Sequence, residues 1–322
     1  MKPRILLVNP PIYDFAAYDF WLKPYGLLSA AGYLRGKVDF KLFDYLDRLH
    51  PFAAKQKNLE SDRWGRGRFY CERIPPPTCL KHIPRYFRRF GLPRRLFKDF
   101  LAAQQQADFV LIQTMMTYWY PGVQEVIEDV HGTRPDAKII LGGNYVTLCT
   151  KHAKGLGADL LVQGTNLEPL WQYLKIEPDL NQPPLWQAYE KLNVGILKLS
   201  DGCPFNCTYC SVPKVYGKFK ARPLERSLDE LVLLCRLGVE NIAFYDDALL
   251  FEAEQVLMPF LNEVIKRKIK VNFHSPNALN ARFLTSELAD LMVRAGFQTF
   301  YLGFESTSAR WQQQTGSKVS SD

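Results

Sequence analysis

Gly195-Ile196-Leu197-Lys198-Leu199-Ser200-Asp201-Gly202-Cys203-Pro204-Phe205-Asn206-Cys207-Thr208-Tyr209-Cys210 is the stretch on which the reading of this chain turns. Gly195 to Leu199 reads as a buried strand, and the polar residues after it open a loop holding three cysteines. Intervals of three and then two residues bring the three thiols to one side of that loop. Soft sulfur ligands in that number suit an iron–sulfur cluster or zinc. A structural zinc site uses four protein ligands, usually as two separated pairs. The candidates for a fourth are Cys235, on the apolar face of an expected helix, and His274, at the end of another strand. A cubic cluster on three cysteines needs no fourth ligand and keeps one iron open, which a reactive cluster requires. The other cysteines, Cys71, Cys79, Cys149 and Cys235, are scattered, and seven in all do not make a disulfide framework.

Outward from the loop, the pattern repeats as strand then helix. Ser227 with Glu230 has the form of a capping box for a helix whose apolar face is Leu228, Leu231, Val232 and Cys235, with Gly238 as its stop. Asn241–Tyr245 is the next strand and runs into Asp246-Asp247; Lys270–Phe273 is a third and runs into His274-Ser275-Pro276-Asn277. Thr285 caps a helix that keeps Leu288, Leu291, Met292 and Ala295 on one face, ended by Gly296. Thr299–Leu302 is a fourth strand, delivering Gly303-Phe304-Glu305-Ser306. A run of βα units whose strands each end in polar residues is the pattern of barrel-type enzymes.

The first half alternates in the same way. Ile5–Val8, Phe40–Phe43, Phe109–Gln113, Lys138–Leu141 and Leu160–Val162 read as short strands buried on both faces. Leu27, Ala30, Ala31 and Leu34 share one helical face, and further helices are expected around Val123–Val130 and Cys149–Leu156. This implies a doubly wound α/β sheet of Rossmann-like, flavodoxin type over residues 1–180. Gly142-Gly143 directly follows a strand, where a ligand or a tight turn would each call for glycine. Proline-rich residues 181–193 read as a linker, and residues 194–322 as a partial (βα) barrel.

At 322 residues and 47% apolar, the chain is too hydrophobic to be disordered and long enough for two cores. No apolar run approaches the ~20 residues of a membrane span, and the N-terminus does not read as a signal peptide, so the expected location is the cytoplasm. The net charge of +8 is concentrated: eleven Lys or Arg between Arg63 and Lys98 face one acid, Glu72. This basic segment, within an insertion at about 50–100, reads as a solvated insertion that packs its aromatics. Nucleic-acid binding is the weaker alternative.

The cysteine motif, with Tyr209 just before its last cysteine, resembles the signature of the radical S-adenosylmethionine (radical SAM) superfamily. The resemblance implies that Cys203, Cys207 and Cys210 hold a [4Fe-4S] cluster whose open iron is chelated by S-adenosylmethionine (SAM). Reductive cleavage then yields a 5′-deoxyadenosyl radical that takes hydrogen from a substrate. Asp246-Asp247 resembles the second-strand segment near the methionyl amine, in an acidic form in place of Gly-Gly-Glu. Asn277 belongs to a segment expected to line the cavity, and Glu305 to a Gly-x-Glu-Ser segment whose acid faces SAM. Tyr209, Asp246, Asp247, Asn277 and Glu305 are therefore the expected cofactor-binding residues.

Asn9-Pro10-Pro11, the helix from Tyr25 to Arg35, Thr117–Gly122 and Gly142-Gly143 resemble the cobalamin-binding-type domain found before many such barrels. Gly142 and Gly143 would then face the corrinoid, but the loop Asn9–Lys23 lacks the family's cobalt-ligating histidine. A radical SAM barrel resembles six βα units, so about two units are expected to be missing after the fourth strand. The expected partners are a small-molecule substrate and an electron donor such as flavodoxin or ferredoxin, without a membrane. Two other readings stand beside the enzyme: a cluster-binding fragment without catalysis, and a zinc-stabilised nucleic-acid-binding protein.

Overall fold

The computed structural model describes residues 2–104 and 106–316, and divides into two compact units, Met1–Lys191 and Leu192–Asp322. The strands of the first unit are β1 (Arg4–Asn9), β2 (Ile12–Asp14), β3 (Asp39–Asp44), β4 (Cys71–Arg73), β5 (Arg88–Phe90), β6 (Phe109–Thr114), β7 (Lys138–Gly143) and β8 (Leu160–Val162). Its helices are α1 (Tyr25–Gly32), α2 (Pro51–Ala54), α3 (Arg94–Ala103), α4 (Tyr120–Thr133), α5 (Asn144–Leu148), α6 (Thr150–Lys154) and α7 (Glu168–Leu174).

Five strands form an all-parallel sheet in the order β3-β1-β6-β7-β8, the flavodoxin-type order expected from the sequence. Leu6, Val8, Val110 and Ile112 face a core completed by Phe97 of α3 and Val126 of α4. Ile5, Leu7, Leu111 and Ile140 face the other core, with Ala31 of α1 and Trp171 of α7. Burial on both faces is why these strands read as unbroken apolar runs.

Three local expectations change. The first helix ends at Gly32, where an added Cβ would lie 2.2 Å from the Pro183 carbonyl oxygen. The helix expected around Cys149–Leu156 is two short helices, α5 and α6, that meet at Cys149 in a non-helical conformation. Residues 181–193 are folded onto the first unit in part: Trp186 is fully buried, Leu185 N–H donates to Leu28 C=O at 2.9 Å, and the Tyr189 hydroxyl donates to Asp44.

The basic insertion is not simply solvated. β5 pairs antiparallel with both β2 and β4 in a small three-stranded sheet. Arg89 of β5 forms a two-pronged ion pair with Glu125 of α4, Nη2–Oε1 2.6 Å and Nε–Oε2 2.8 Å, and the Tyr13 hydroxyl donates to the same carboxylate at 2.6 Å. The Arg89 and Glu125 side chains are only 4% and 3% exposed. Arg94 and Lys98 pair with Asp129 at 2.8 and 3.4 Å, while Arg73 and Arg88 lie over the Tyr86 ring. Part of the segment's positive charge is therefore paired within the unit, while most of its Lys and Arg side chains stay exposed. Leaving one member of a buried pair uncompensated is what costs stability. Arg89→Leu is expected to lower unfolding free energy by about 3–5 kcal/mol, measured by urea denaturation, and adding Glu125→Gln should recover part of the loss.

The second unit contains β9 (Val194–Leu197), β10 (Ser200–Asp201), β11 (Lys220–Ala221), β12 (Asn241–Phe244), β13 (Asn272–Leu279) and β14 (Phe297–Leu302). Its helices are α8 (Val212–Val215), α9 (Leu224–Arg236), α10 (Leu257–Lys266), α11 (Ser286–Ala295) and α12 (Ala309–Thr315). β9, β12, β13 and β14 form a parallel sheet in chain order, each new strand added beside the last. Phe244, Phe260, Phe273 and Phe297 pack across it, the Phe244 and Phe297 rings stacked with centroids 5.4 Å apart. β14 is an edge, and its Phe300 and Leu302 are exposed.

Thr285 caps α11 as expected, its hydroxyl accepting from Leu288 N–H at 3.1 Å, and Gly296 ends the helix at φ 113°. The capping box at Ser227 and Glu230 does not form. α9 starts four residues earlier, with Pro223 in place of Ser227 just before its first residue, so both residues fall inside the helix and are buried. There the Ser227 hydroxyl donates to Lys198 C=O at 3.2 Å and ties α9 to the segment leaving β9.

Candidate functional site

The cysteine loop leaves the carboxyl end of β9 through a short hairpin, β10 with β11. Asp246, just beyond β12, fixes that exit. Its buried carboxylate accepts from Leu199 N–H at 3.0 Å, from Ser200 N–H at 2.6 Å and from the Ser200 hydroxyl at 2.7 Å. Its own carbonyl accepts from the Asn277 side chain at 3.1 Å, so Asp246 and Asn277 meet across the strand ends.

Beside the clamp stands a charged group that sequence reasoning missed. Lys198, 6% exposed, donates to Asp201 at 2.7 Å, and Arg222 grips Asp201 with two bonds of 2.9 Å. The two cations outweigh burial and hold the Asp201 carboxyl below its ordinary range. Gly202 was also missed. Its φ is +72°, and an added Cβ would lie 2.4 Å from the Lys218 carbonyl oxygen. The readable signal was a glycine immediately before the first cysteine.

Cys207 is buried, Cys203 half-buried and Cys210 exposed. The Tyr209 hydroxyl bonds both Cys207 and Glu305, and with burial these contacts push its pKa up. Tyr209, Cys207 and Glu305 are therefore brought together. The Tyr209 ring stacks on Trp311 of α12, centroids 5.5 Å apart, and Thr208 N–H donates to Thr315 C=O at 3.0 Å. Gly316 closes on the loop, where an added Cβ would lie 2.8 Å from the Cα of Cys207. Trp311 and Gly316 carried no pattern that pointed to the cysteines.

Asp247 differs from its neighbour. One carboxylate oxygen is buried with no hydrogen-bond partner among the described residues, and the side chain lines a small cleft with Phe205, Phe251 and Phe283. Desolvation raises its pKa to about 6, reinforced by Asp246 and Asp201 and opposed by Lys198.

The donor chemistry fits a cluster better than zinc. Three thiols share one loop. A cubane takes one cysteine on each of three irons, whereas a structural zinc site takes a fourth protein ligand. His274 is not a spare ligand: it is fully buried, with ring nitrogens 3.1 Å from Thr299 Oγ1 and from Asn241 Oδ1. Cys235 lies on α9, and burial pushes its thiol pKa up, away from the thiolate form that binds metal.

In the first unit Gly143 has φ +119°, and an added Cβ would lie 2.1 Å from the Thr114 carbonyl oxygen. Its glycine is required by the turn itself. Gly142 has ordinary room, with Val162 at 3.8 Å. The Asn9 amide is spent on Asp44 at 2.7 Å. These residues offer cobalt no ligand.

A carboxyl whose pKa is raised by folding favours the folded state most at low pH, and that advantage is lost as pH rises through the folded pKa. Asp247 therefore weakens the fold between about pH 4 and 6. Asp247→Asn is expected to stabilise the protein at pH 7.5 by about 1–3 kcal/mol, with the gain shrinking towards zero at pH 4 in parallel denaturation curves.

Residues 197–322 match the family model of the radical SAM superfamily. Among curated relatives, an uncharacterized methyltransferase of Pyrococcus horikoshii is 29% identical over 36% of this chain and 25% of its own length. The ribosomal protein uS12 methylthiotransferase RimO of Pelobacter propionicus is 30% identical over 37% of this chain and 25% of its own. The bacteriochlorophyllide d C-12(1)-methyltransferase of Chlorobaculum tepidum is 28% identical over 52% and 42%. The matches thus span about a quarter of the first two relatives. Among solved structures, the radical SAM methyltransferase TsrM of Kitasatospora setae, described with cobalamin and a [4Fe-4S] cluster bound, superposes with a TM-score of 0.64 at 14% identity. It covers 96% of this chain and 62% of TsrM. Such a likeness is one of fold, and it extends over both units. Residues 197–322 are accordingly a radical SAM domain, preceded in this chain by a flavodoxin-type doubly wound unit.

Proposed function

We propose that the chain is a radical SAM enzyme in which Cys203, Cys207 and Cys210 hold a [4Fe-4S] cluster. The observation that supports this most is the placement of all three thiols in one loop at a strand's carboxyl end, with Tyr209 bridging Cys207 to Glu305. When bound, the cluster supplies the electron that cleaves SAM to methionine and a 5′-deoxyadenosyl radical.

The protein's own share is positioning and solvation. The Asp246 clamp and Gly202 fix where the loop leaves β9, so the thiols are presented without a search through loop conformers. The unpartnered oxygen of Asp247 offers an acceptor to the ammonium of a methionyl group. A cation there would lower the Asp247 pKa and ionise the carboxyl fully at neutral pH. Glu305 and Asn277 supply further polar atoms on the same side of the sheet, and the Phe205, Phe251 and Phe283 rings keep the cleft apolar. The names of the relatives favour methyl or methylthio transfer as the reaction class. The substrates they are named for range from a ribosomal protein to a bacteriochlorophyllide, with tryptophan in the TsrM structure. For this chain the proposed substrate is a small molecule, with an electron donor such as flavodoxin or ferredoxin. No step is assigned to cobalamin. Among the described residues no helix is long and apolar enough to cross a membrane.

The test is low-temperature EPR on anaerobically reconstituted, dithionite-reduced protein with and without SAM. A [4Fe-4S]⁺ signal that changes with SAM is expected, and Cys207→Ala should abolish it. A signal indifferent to SAM would favour a cluster-binding fragment, and zinc in place of iron would overturn the reading.

A further inference from the structure

α3 stops at Ala103, before the amino-terminal ends of β1 and β3, and leaves a cavity of about 350 Å³ against the sheet of the first unit. That volume lies within the range of small-molecule sites, roughly 300–1,000 Å³. Its floor is Leu6 and Val110, and its apolar wall is Phe100 and Leu101. Arg4, Lys41 and Arg134 stand around it with one lining acid, Asp39, and Asp108 lies beside Arg4, accepting from its backbone N–H at 2.8 Å.

The three cations are not equally free. Arg134 is committed, its Nη2 donating to Leu101 C=O at 2.6 Å and Gln104 C=O at 3.0 Å, so it holds the end of α3 in place. Arg4 is less engaged: Nη2 is 3.9 Å from Asp108, and its buried Nε has no acceptor among the described residues. A buried guanidinium nitrogen without an acceptor is costly, and an anion is the partner it lacks. Lys41 is exposed on the edge strand β3 and adds a second positive charge at the mouth.

We infer that this cavity is a binding site for a small amphipathic anion, a carboxylate or phosphate on a compact apolar body. The apolar part lies on Leu6, Val110, Phe100 and Leu101, and the head group is taken by Arg4 and Lys41. Arg4 and Asp39 are the first residues of their strands, so the cavity opens at the amino ends of the sheet. Doubly wound sheets take their usual ligands at the opposite, carboxyl ends. The inference therefore stands apart from the cysteine loop and does not depend on the proposed enzyme.

Titration calorimetry of the whole chain with decanoate, decyl phosphate and decanol, each below its micelle concentration, tests it. Saturable 1:1 binding of decanoate or decyl phosphate is expected, and the stronger of the two identifies the head group. Decanol should bind at least tenfold more weakly. Arg4→Gln with Lys41→Gln should weaken anion binding at least tenfold, and Ala103→Trp, at an exposed helix end, should block it by filling the mouth. Unchanged circular dichroism and melting temperature would establish that these variants fold; Lys41→Gln alone, on an exposed side chain, provides the readout where Arg4→Gln does not. Absence of saturable binding by either anion, equal binding of decanol, or unchanged affinity in the folded variants would each overturn the inference.

Discussion

The second unit depends on one carboxylate. Asp246 stands at the end of β12, and its oxygens collect two backbone N–H groups and a hydroxyl from Leu199 and Ser200, where the chain leaves β9. A strand end in a parallel sheet leaves backbone donors beyond the last ladder bond, and a buried donor without an acceptor is costly. One side chain from the next strand answers both donors and locks two adjacent strand ends together. The cysteine loop begins three residues later, so its starting position is set by this contact. Burial pushes the Asp246 pKa up, while its hydrogen bonds and the nearby Lys198 and Arg222 act against that. The cationic surroundings thus serve the clamp as well as Asp201.

The same economy of charge organises the first unit. Glu125 faces into the protein from α4 and would be untenable alone; Arg89, from the inserted strand β5, and Tyr13 make it a complete hydrogen-bonded group. The insertion is held by this pair and by Arg94 on Asp129. What looked from composition like an exposed basic surface is in part an internal fastening.

The limits of reading the chain follow from the distance over which each signal acts. Unbroken apolar strands, the cysteine spacing and the Thr285-to-Gly296 helix are local patterns, and the folded protein keeps them. Ser227 and Glu230 also matched a local pattern, yet Pro223 starts the helix first and turns both residues inward. Asp246 was legible as a polar residue at a strand end. Its partners lie 46 and 47 residues away in sequence, so its role in fastening the loop was not. Arg89 was read as surface charge for a similar reason, since Glu125 is 36 residues on and belongs to a different element. Trp311 and Gly316 gave no warning at all, because their meaning lies in what the loop after β14 folds back upon.

That return of α12 to the cysteine loop gives the protein an internal optical probe. Of the six tryptophans, Trp21, Trp64, Trp119, Trp171 and Trp186 belong to the first unit, and Trp311 alone to the second. Its indole lies face to face with Tyr209, one residue from Cys210, and Tyr209 in turn bonds Cys207. A chromophore or paramagnet held by those sulfurs would drain excitation from this one indole at short range. With the other five tryptophans replaced by phenylalanine, emission from a single residue would follow the occupancy of the loop in real time.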